Sequence, residues 1–275
     1  MRYKNMTVCL DNSAESSQRL DFSLALAVRH GAHLTALYLT YVPFIMSDSY
    51  AVWAPMMLEW EDLAKTQQER ARESFYATAS KAGINFDWAG YRSFELQKII
   101  AHARVSDLTI IGQRNPADVE SDRGNGYPER LILKLGRPVL ILPYAGEIPK
   151  TFDNIFVAWD GGREDTRAMA DALPFLRLAQ QVKVLTIYES ADQENDLPDI
   201  DIAGYLAKHD VKVEIERNQS IHIAPADWLL SRAKEIHADL LVMGAYGHYR
   251  LTELVLGSVT QAIMRQMTLP VLMSH

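Results

Sequence analysis

The sequence predicts an α/β fold, a mainly parallel sheet with helices on both faces, built twice along one chain. Three observations lead there. Short apolar runs alternate with segments of helical period, and that alternation forms right-handed crossovers between parallel strands. Runs such as LLVMG are apolar without strict alternation, as suits strands buried on both faces. The chain also repeats itself, so one such unit accounts for each half.

The repeat opens on TVCLDNSAES (7–16), a short apolar strand ending in Asp11 and followed by a polar turn. FVAWDGGRED (156–165) restates it in mid-chain, with Asp160 at the strand end. DLTIIG (107–112) returns as DLLVMG (239–244), and GRPVLILP (136–143) as TLPVLMSH (268–275). The distance from Gly112 to Pro138 equals that from Gly244 to Pro270, 26 residues. From strand-end aspartate to glycine the halves differ, 101 residues against 84. The first half therefore carries 17 extra residues, placed most simply around SDSYAVWAPMMLEW (47–60). Gly, Pro and charge cluster in YAGEIPKTFD (144–153), which sets the expected domains at 1–146 and 151–275.

Element by element, the second half reads as NIFVAWD, a buried strand, then TRAMADALPFLRLA with helical spacing. VKVLTIY is a strand, DIAGYLAKHD a short helix, and VKVEIER a strand with polar alternation. APADWLLSRAKEIHA is an amphipathic helix with Asp227 in its first turn. DLLVMG, SVTQAIMRQM and LPVLMS complete the unit as strand, helix and strand. Ligands of such sheets sit beyond the carboxyl ends of the strands, where the strand order reverses, and Asp160 and Gly244 both stand at such ends.

Composition narrows the function classes. At 275 residues, 48% hydrophobic and 23% charged, the chain is that of an ordinary globular protein. A net charge of -7 argues against an electrostatic hold on nucleic acid or anionic lipid. The longest apolar stretch, LTALYLTYVPFIM (34–46), has 13 residues and a proline, too short to span a bilayer. The N-terminus lacks the apolar core of a signal peptide, so the expected location is cytoplasmic. The one cysteine, Cys9, lies in an apolar strand and is expected to be buried and inert.

The remaining signal is GAYGHYRLTELVLGS (244–258), which places three of the 14 glycines in one stretch. Gly244 and Gly247 allow positive φ and a close approach of ligand to bare backbone. Ser258 is a natural N-cap for SVTQAIMRQM, whose free amides and dipole suit an anion. Together these parts suit a sugar–phosphate cradle. Turn glycines and a serine cap also occur without a ligand. LTELVLGSVTQAIM reads equally as one helix with Gly257 inside, at about 1 kcal/mol relative to alanine. Asp160 can accept from two ribose hydroxyls or cap the following helix.

Gly244, Gly247, Gly257 and Ser258, the strand-end Asp160 and the closing PVLMSH resemble the universal stress protein family, over nearly the whole chain and as two tandem domains. The resemblance implies five-stranded parallel sheets of the adenine nucleotide alpha hydrolase-like type, and binding of ATP, ADP or AMP, with Mg or Mn where a metal takes part. It implies that Asp160 contacts the ribose, Ala158 lines the adenine pocket and Ile187 meets the adenine edge through its backbone. Gly244 would lie by the ribose, with Gly247, Gly257, Ser258 and Val259 at the phosphates. Arg250, and less so His248, can reach a phosphate from the glycine stretch. The two halves would pair like a family dimer within one chain, in a stress-response sensor or regulator.

The first half departs from this pattern. Gly112 persists, but Asn115, Asn125 and Gly126 stand where the second half has Gly247, Gly257 and Ser258. Pro128 suits a helix start but removes an amide from the anion site. The first half is expected to bind nucleotide weakly or not at all. Two other functions stay open. One is a slow ATPase, although no general base is identifiable beside the phosphates. The other is an interaction protein without nucleotide, binding a hydrophobic ligand or protein partner, or a second copy, near Trp53, Met56, Met57 and Trp60. With eight dispersed histidines and no cysteine pair, no dedicated metal site is expected.

Overall fold

The computed structural model describes residues 2–40, 50–92, 95–118, 127–188, 202–219, 225–246 and 257–275. The chain forms two compact units, Tyr3–Leu131 and the combination of Met1–Arg2 with Ile132–His275. In the first, β1 (Asn5–Leu10), β2 (His33–Thr40), β3 (Phe86–Arg92) and β4 (Leu108–Gly112) alternate with α1 (Ser16–His30), α2 (Tyr50–Ala82) and α3 (Leu96–Arg104). Helix α4 (Tyr127–Leu135) leads to β5 (Val139–Leu142). The later half contributes β6 (Asn154–Trp159), α5 (Arg163–Leu176), β7 (Gln181–Tyr188), α6 (Ile202–Lys208) and β8 (Val213–Gln219). It ends in α7 (Pro225–Glu235), β9 (Leu240–Gly244), α8 (Ser258–Gln266) and β10 (Val271–Ser274).

The sheet of the first unit runs β3-β2-β1-β4, and its three ladders are parallel. That of the second runs β5-β10-β9-β6-β7-β8, parallel except for β5 against β10. Strand β5, written in the first half, thus pairs with the last strand of the second unit, with Leu140 opposite Leu272. Both strands, VLIL and VLMS, are buried throughout, so pairing them satisfies an apolar edge that neither could leave to water. In each unit the strand order reverses between the first strand and its fourth-strand neighbour, β1 with β4 and β6 with β9.

A carboxylate ties each of these pairs at its base. Asp107 Oδ2 accepts from the Lys4 and Asn5 amides at 2.7 and 3.0 Å. Asp239 Oδ2 accepts from the Asp153 and Asn154 amides at 2.9 and 2.8 Å. The repeated D-L of DLTIIG and DLLVMG is therefore structural: the aspartate sets the register of two parallel strands that no hairpin joins.

The extra residues of the first half fall in the β2–β3 crossover, where α2 is a 33-residue helix with Pro55 near its start. Its counterpart between β7 and β8 contributes the seven-residue α6. Met56 and Leu58 are exposed and Trp60 half-buried, so this part of α2 does not pack closely against its own sheet. Residues 47–49 lie outside the described residues, as do the side chains of 50–54, Trp53 among them.

Leu272, fully buried between β5 and β9, tests this pairing. Leu272→Ala is expected to cost about 2–5 kcal/mol, read by urea denaturation.

Candidate functional site

In the second unit, the strand ends at the reversal point carry a polar cluster. Ala158 is buried near the end of β6, opposite Leu185 of β7. The chain leaves β6 at Asp160 and turns through Gly161, whose φ of +83° favours glycine. Asp160 Oδ1 accepts from the Gly162 amide at 2.6 Å, and Gly162 is the N-cap of α5. The strand-end aspartate thus builds the turn into the helix, and no side chain caps α5 directly.

Asp165, in the first turn of α5, sits behind this turn and is buried. Its Oδ2 accepts from the Asp160 amide at 2.7 Å and its Oδ1 from the Gly244 amide at 2.6 Å. Burial, reinforced by a hydrogen bond and charge repulsion from the Asp160 side chain, pushes the Asp165 carboxyl up to about 8. The neighbouring Glu164 is buried too and pairs with Arg163 at 3.1 Å.

Gly244, the last residue of β9, meets the same helix. A Cβ there would stand 2.6 Å from Asp165 Oδ1 and 2.7 Å from the Asp165 amide nitrogen and the Glu164 carbonyl carbon. The expectation that this glycine supplies positive φ is corrected: its φ lies outside the left-handed region, and close helix approach is what demands it. Beyond it, Tyr246 takes a φ of +64°, and its amide donates to Thr260 Oγ1 of α8 at 3.2 Å.

At the start of α8 the expected serine cap is also corrected. Gly257 is the N-cap, with φ −52° and ψ 127°, and no side chain among the described residues caps the helix. Ser258 is the first helical residue and is exposed, followed by half-buried Val259. A serine one position inside the helix has moved past the geometry that reaches a following amide. A Cβ on Gly257 would make only ordinary contacts, the nearest 3.6 Å from the Tyr246 Cα. Neither backbone angle nor crowding among the described residues requires glycine at this position.

Ile187 occupies the end of β7, in register with Asn218 of β8. Gly247, His248 and Arg250 lie outside the described residues, as does most of the LTELVLG run. The structure therefore gathers Asp160, Gly244 and the Gly257–Val259 helix start around the ends of β6, β9 and α8. Among the described residues no group of three or more His, Cys, Asp or Glu side chains is disposed to hold a metal ion.

The same positions in the first unit are arranged differently. Ser16, five residues after Asp11, accepts from the Asp11 amide through Oγ at 3.2 Å. The buried Arg19 donates from Nη2 to Asp11 Oδ1 at 2.7 Å. Its guanidinium also covers Gly112, where a Cβ would lie 1.7 Å from Nη1. Asn115, standing where the second half has Gly247, donates to Glu15 Oε1 at 2.9 Å and accepts from the Ala117 amide at 3.0 Å. Pro128 falls in the first turn of α4, while Asn125 and Gly126 lie outside the described residues. Cys9 is buried, and burial pushes its thiol up to about 12.

Sequence reasoning missed Asp165 and Arg19. Aligning the two strand-end turns exposes both, because Ser16 falls opposite Asp165 and Arg19 opposite Ala168.

The profile of the Universal stress protein family matches residues 2–142 and 151–275. The chain is 24% identical to Universal stress protein Slr1230 of Synechocystis sp. over 98% of its length and 99% of the relative's. Among solved structures, a universal stress protein from Archaeoglobus fulgidus DSM 4304 superimposes with a TM-score of 0.75 at 18% identity, covering 98% of this chain and 95% of that one. A putative universal stress protein from Pseudomonas aeruginosa UCBPP-PA14 gives a TM-score of 0.60 at 16% identity, covering 99% and 93%.

Two outcomes follow from the buried charges. Arg19→Ala leaves Asp11 without its cation and is expected to destabilise the fold by about 3–5 kcal/mol, read by denaturant unfolding. Asp165 holds a proton in the folded state up to about pH 8 that an ordinary aspartate loses near 3.8. The folded chain therefore binds more protons across that window, and stability falls as pH rises through it, by about 1 kcal/mol per unit. Unfolding measured from pH 5 to 8 should show this slope, and Asp165→Asn should flatten it.

Proposed function

This chain belongs to the universal stress protein family in its tandem form, and from that premise we propose that its second half binds ATP or a related adenine nucleotide. The observation that carries the reading is the start of α8. Among the described residues it is a helix N-terminus without a side-chain cap, behind a glycine that neither backbone angle nor crowding requires. The amides of such a start are donors in need of an acceptor, and the helix dipole favours an anion there. A glycine at the cap lets a phosphate approach the backbone.

The other end of the ligand is served by Asp160. Ribose presents two neighbouring hydroxyl donors, and a strand-end carboxylate can accept from both. Ala158, buried beside it, offers apolar contact of the kind a base needs. In the first half, Arg19 already holds Asp11 and covers Gly112, which supports one nucleotide per chain. On this reading the chain acts as a nucleotide-dependent regulator, with its first half a structural partner.

Isothermal titration should give one ATP per chain, and Gly257→Val should weaken it about tenfold or more at unchanged thermal stability. Mass spectrometry of small molecules released by heating freshly purified protein should find an adenine nucleotide. Two equivalent sites, or no nucleotide binding at all, would refute the reading.

A further inference from the structure

The 33-residue helix α2 is matched in the second half only by the seven-residue α6, and it has two distinct faces. The packed face buries Ala64, Phe75 and Ala79, and its Gln68 side chain covers Gly90 of β3. Away from that face stand Leu58, Asp62, Lys65, Glu69, Arg72 and Tyr76, all exposed. They follow one another in steps of four, three, four, three and four residues. That spacing averages the 3.5-residue period of a stripe that a second helix can follow along its length. Leu58 is 65% exposed and Tyr76 46%, large apolar groups at the two ends of the stripe. Among the described residues none of the four charged side chains between them forms an ion pair within the chain.

The stripe is its own complement when reversed. Leu58 and Tyr76 lie nine residues either side of Gln67, Asp62 and Arg72 five, and Lys65 and Glu69 two. An antiparallel copy centred there sets Leu58 against Tyr76, Asp62 against Arg72 and Lys65 against Glu69. A two-fold axis makes each of these contacts twice. A parallel copy in register would instead set Asp62 on Asp62 and Lys65 on Lys65, and such like-charge contacts are penalised.

We propose that α2 is a dimerisation helix, on which a second copy of this chain docks antiparallel along the stripe from Leu58 to Tyr76. The order of the charges selects this occupant. A two-fold interface requires a self-complementary surface, and the stripe is self-complementary at its apolar and its charged positions alike. Helices that meet on such a spacing cross at a shallow angle of about 20°. From Leu58 to Tyr76 the contact runs about 27 Å at the ordinary rise of a helix. Tyr76 is supported from behind, its ring edge-on to Phe86 at 5.2 Å and to Phe75 at 6.0 Å. The apolar ends supply affinity, whereas the exposed ion pairs, each of small worth, fix direction and register. One helix pair is a small interface, so the dimer exchanges with monomer. The stripe belongs to the first unit and does not draw on the nucleotide reading.

Sedimentation equilibrium of the intact chain, over a dilution series from sub-micromolar to hundreds of micromolar, should show a reversible dimer. Asp62→Arg and Arg72→Asp each bring like charges together twice, and each should raise the dissociation constant about tenfold or more. Both substitutions in one chain restore opposite charges and should return it to within about threefold of the intact chain. Both positions are exposed, and circular dichroism checks that every variant folds. A chain that stays monomeric throughout the series leaves the stripe to some other protein and overturns the proposal. A dimer that the single variants leave unchanged uses another surface, and a double variant no tighter than the singles denies the pairing. Either result overturns it as well.

Discussion

The second unit is organised by how closely the first turn of α5 approaches the end of β9. At Gly244 there is no room for even a methyl group, because the Glu164–Asp165 backbone and the Asp165 carboxyl lie within 2.7 Å of where it would stand. That contact fixes where α5 begins, and so where the chain leaving β6 must turn. Gly161 makes the turn at positive φ, and Asp160 ties it to Gly162. Asp165 is then carried to a point from which its carboxyl reaches the amides of both β6 and β9. The positions of the Asp160 turn and of the Asp165 carboxyl follow from one steric limit.

The first unit meets the same limit by other means. Gly112 is crowded by the Arg19 side chain, not by helix backbone. A glycine common to both halves therefore reports packing between helix and strand. The strand-end turn is tied back to the helix in each half, through the Arg19 guanidinium on the Asp11 carboxylate in one and through the Asp165 carboxyl on the Asp160 amide in the other. The first solution is insensitive to pH, because arginine never titrates in the accessible range. The second responds to pH, because burial raises the proton affinity of the Asp165 carboxyl to about 8.

The alternation of strands and helices, the internal repeat and the seat of the extra residues were legible because each leaves a periodic or repeated trace in the sequence. The pairing of β5 with the other half's final strand rests on two apolar runs, VLIL and VLMS, whose buried character is visible in composition. The placement of the candidate residues was legible in outline: Asp160 and Gly244 stand at strand ends and Gly257 just before a helix, as expected. Their roles were less so. A glycine needed for positive φ and one needed for close approach look alike in a sequence, and only coordinates separate Gly161 from Gly244. Asp165 reads as an ordinary acidic residue in a helix's first turn, and Arg19 as one cation in an amphipathic helix. Neither pattern reveals that the side chain folds back onto a strand end.

What distinguishes the halves is which polar groups are already satisfied. In the first, Asp11 has its guanidinium and Asn115 closes on Glu15 and the Ala117 amide. In the second, Asp165 satisfies the amides of Asp160 and Gly244 and thereby withdraws them from any ligand. On the proposed nucleotide reading, a ligand at this end takes donors from the start of α8, where no side chain among the described residues caps the helix, and an acceptor from Asp160. Those two groups demand opposite chemistry, an anion at one end and paired hydroxyl donors at the other. A molecule joining a phosphate to a sugar diol would meet both, and a glycine at position 257, where no described neighbour stands closer than 3.6 Å to a would-be Cβ, is consistent with that reading.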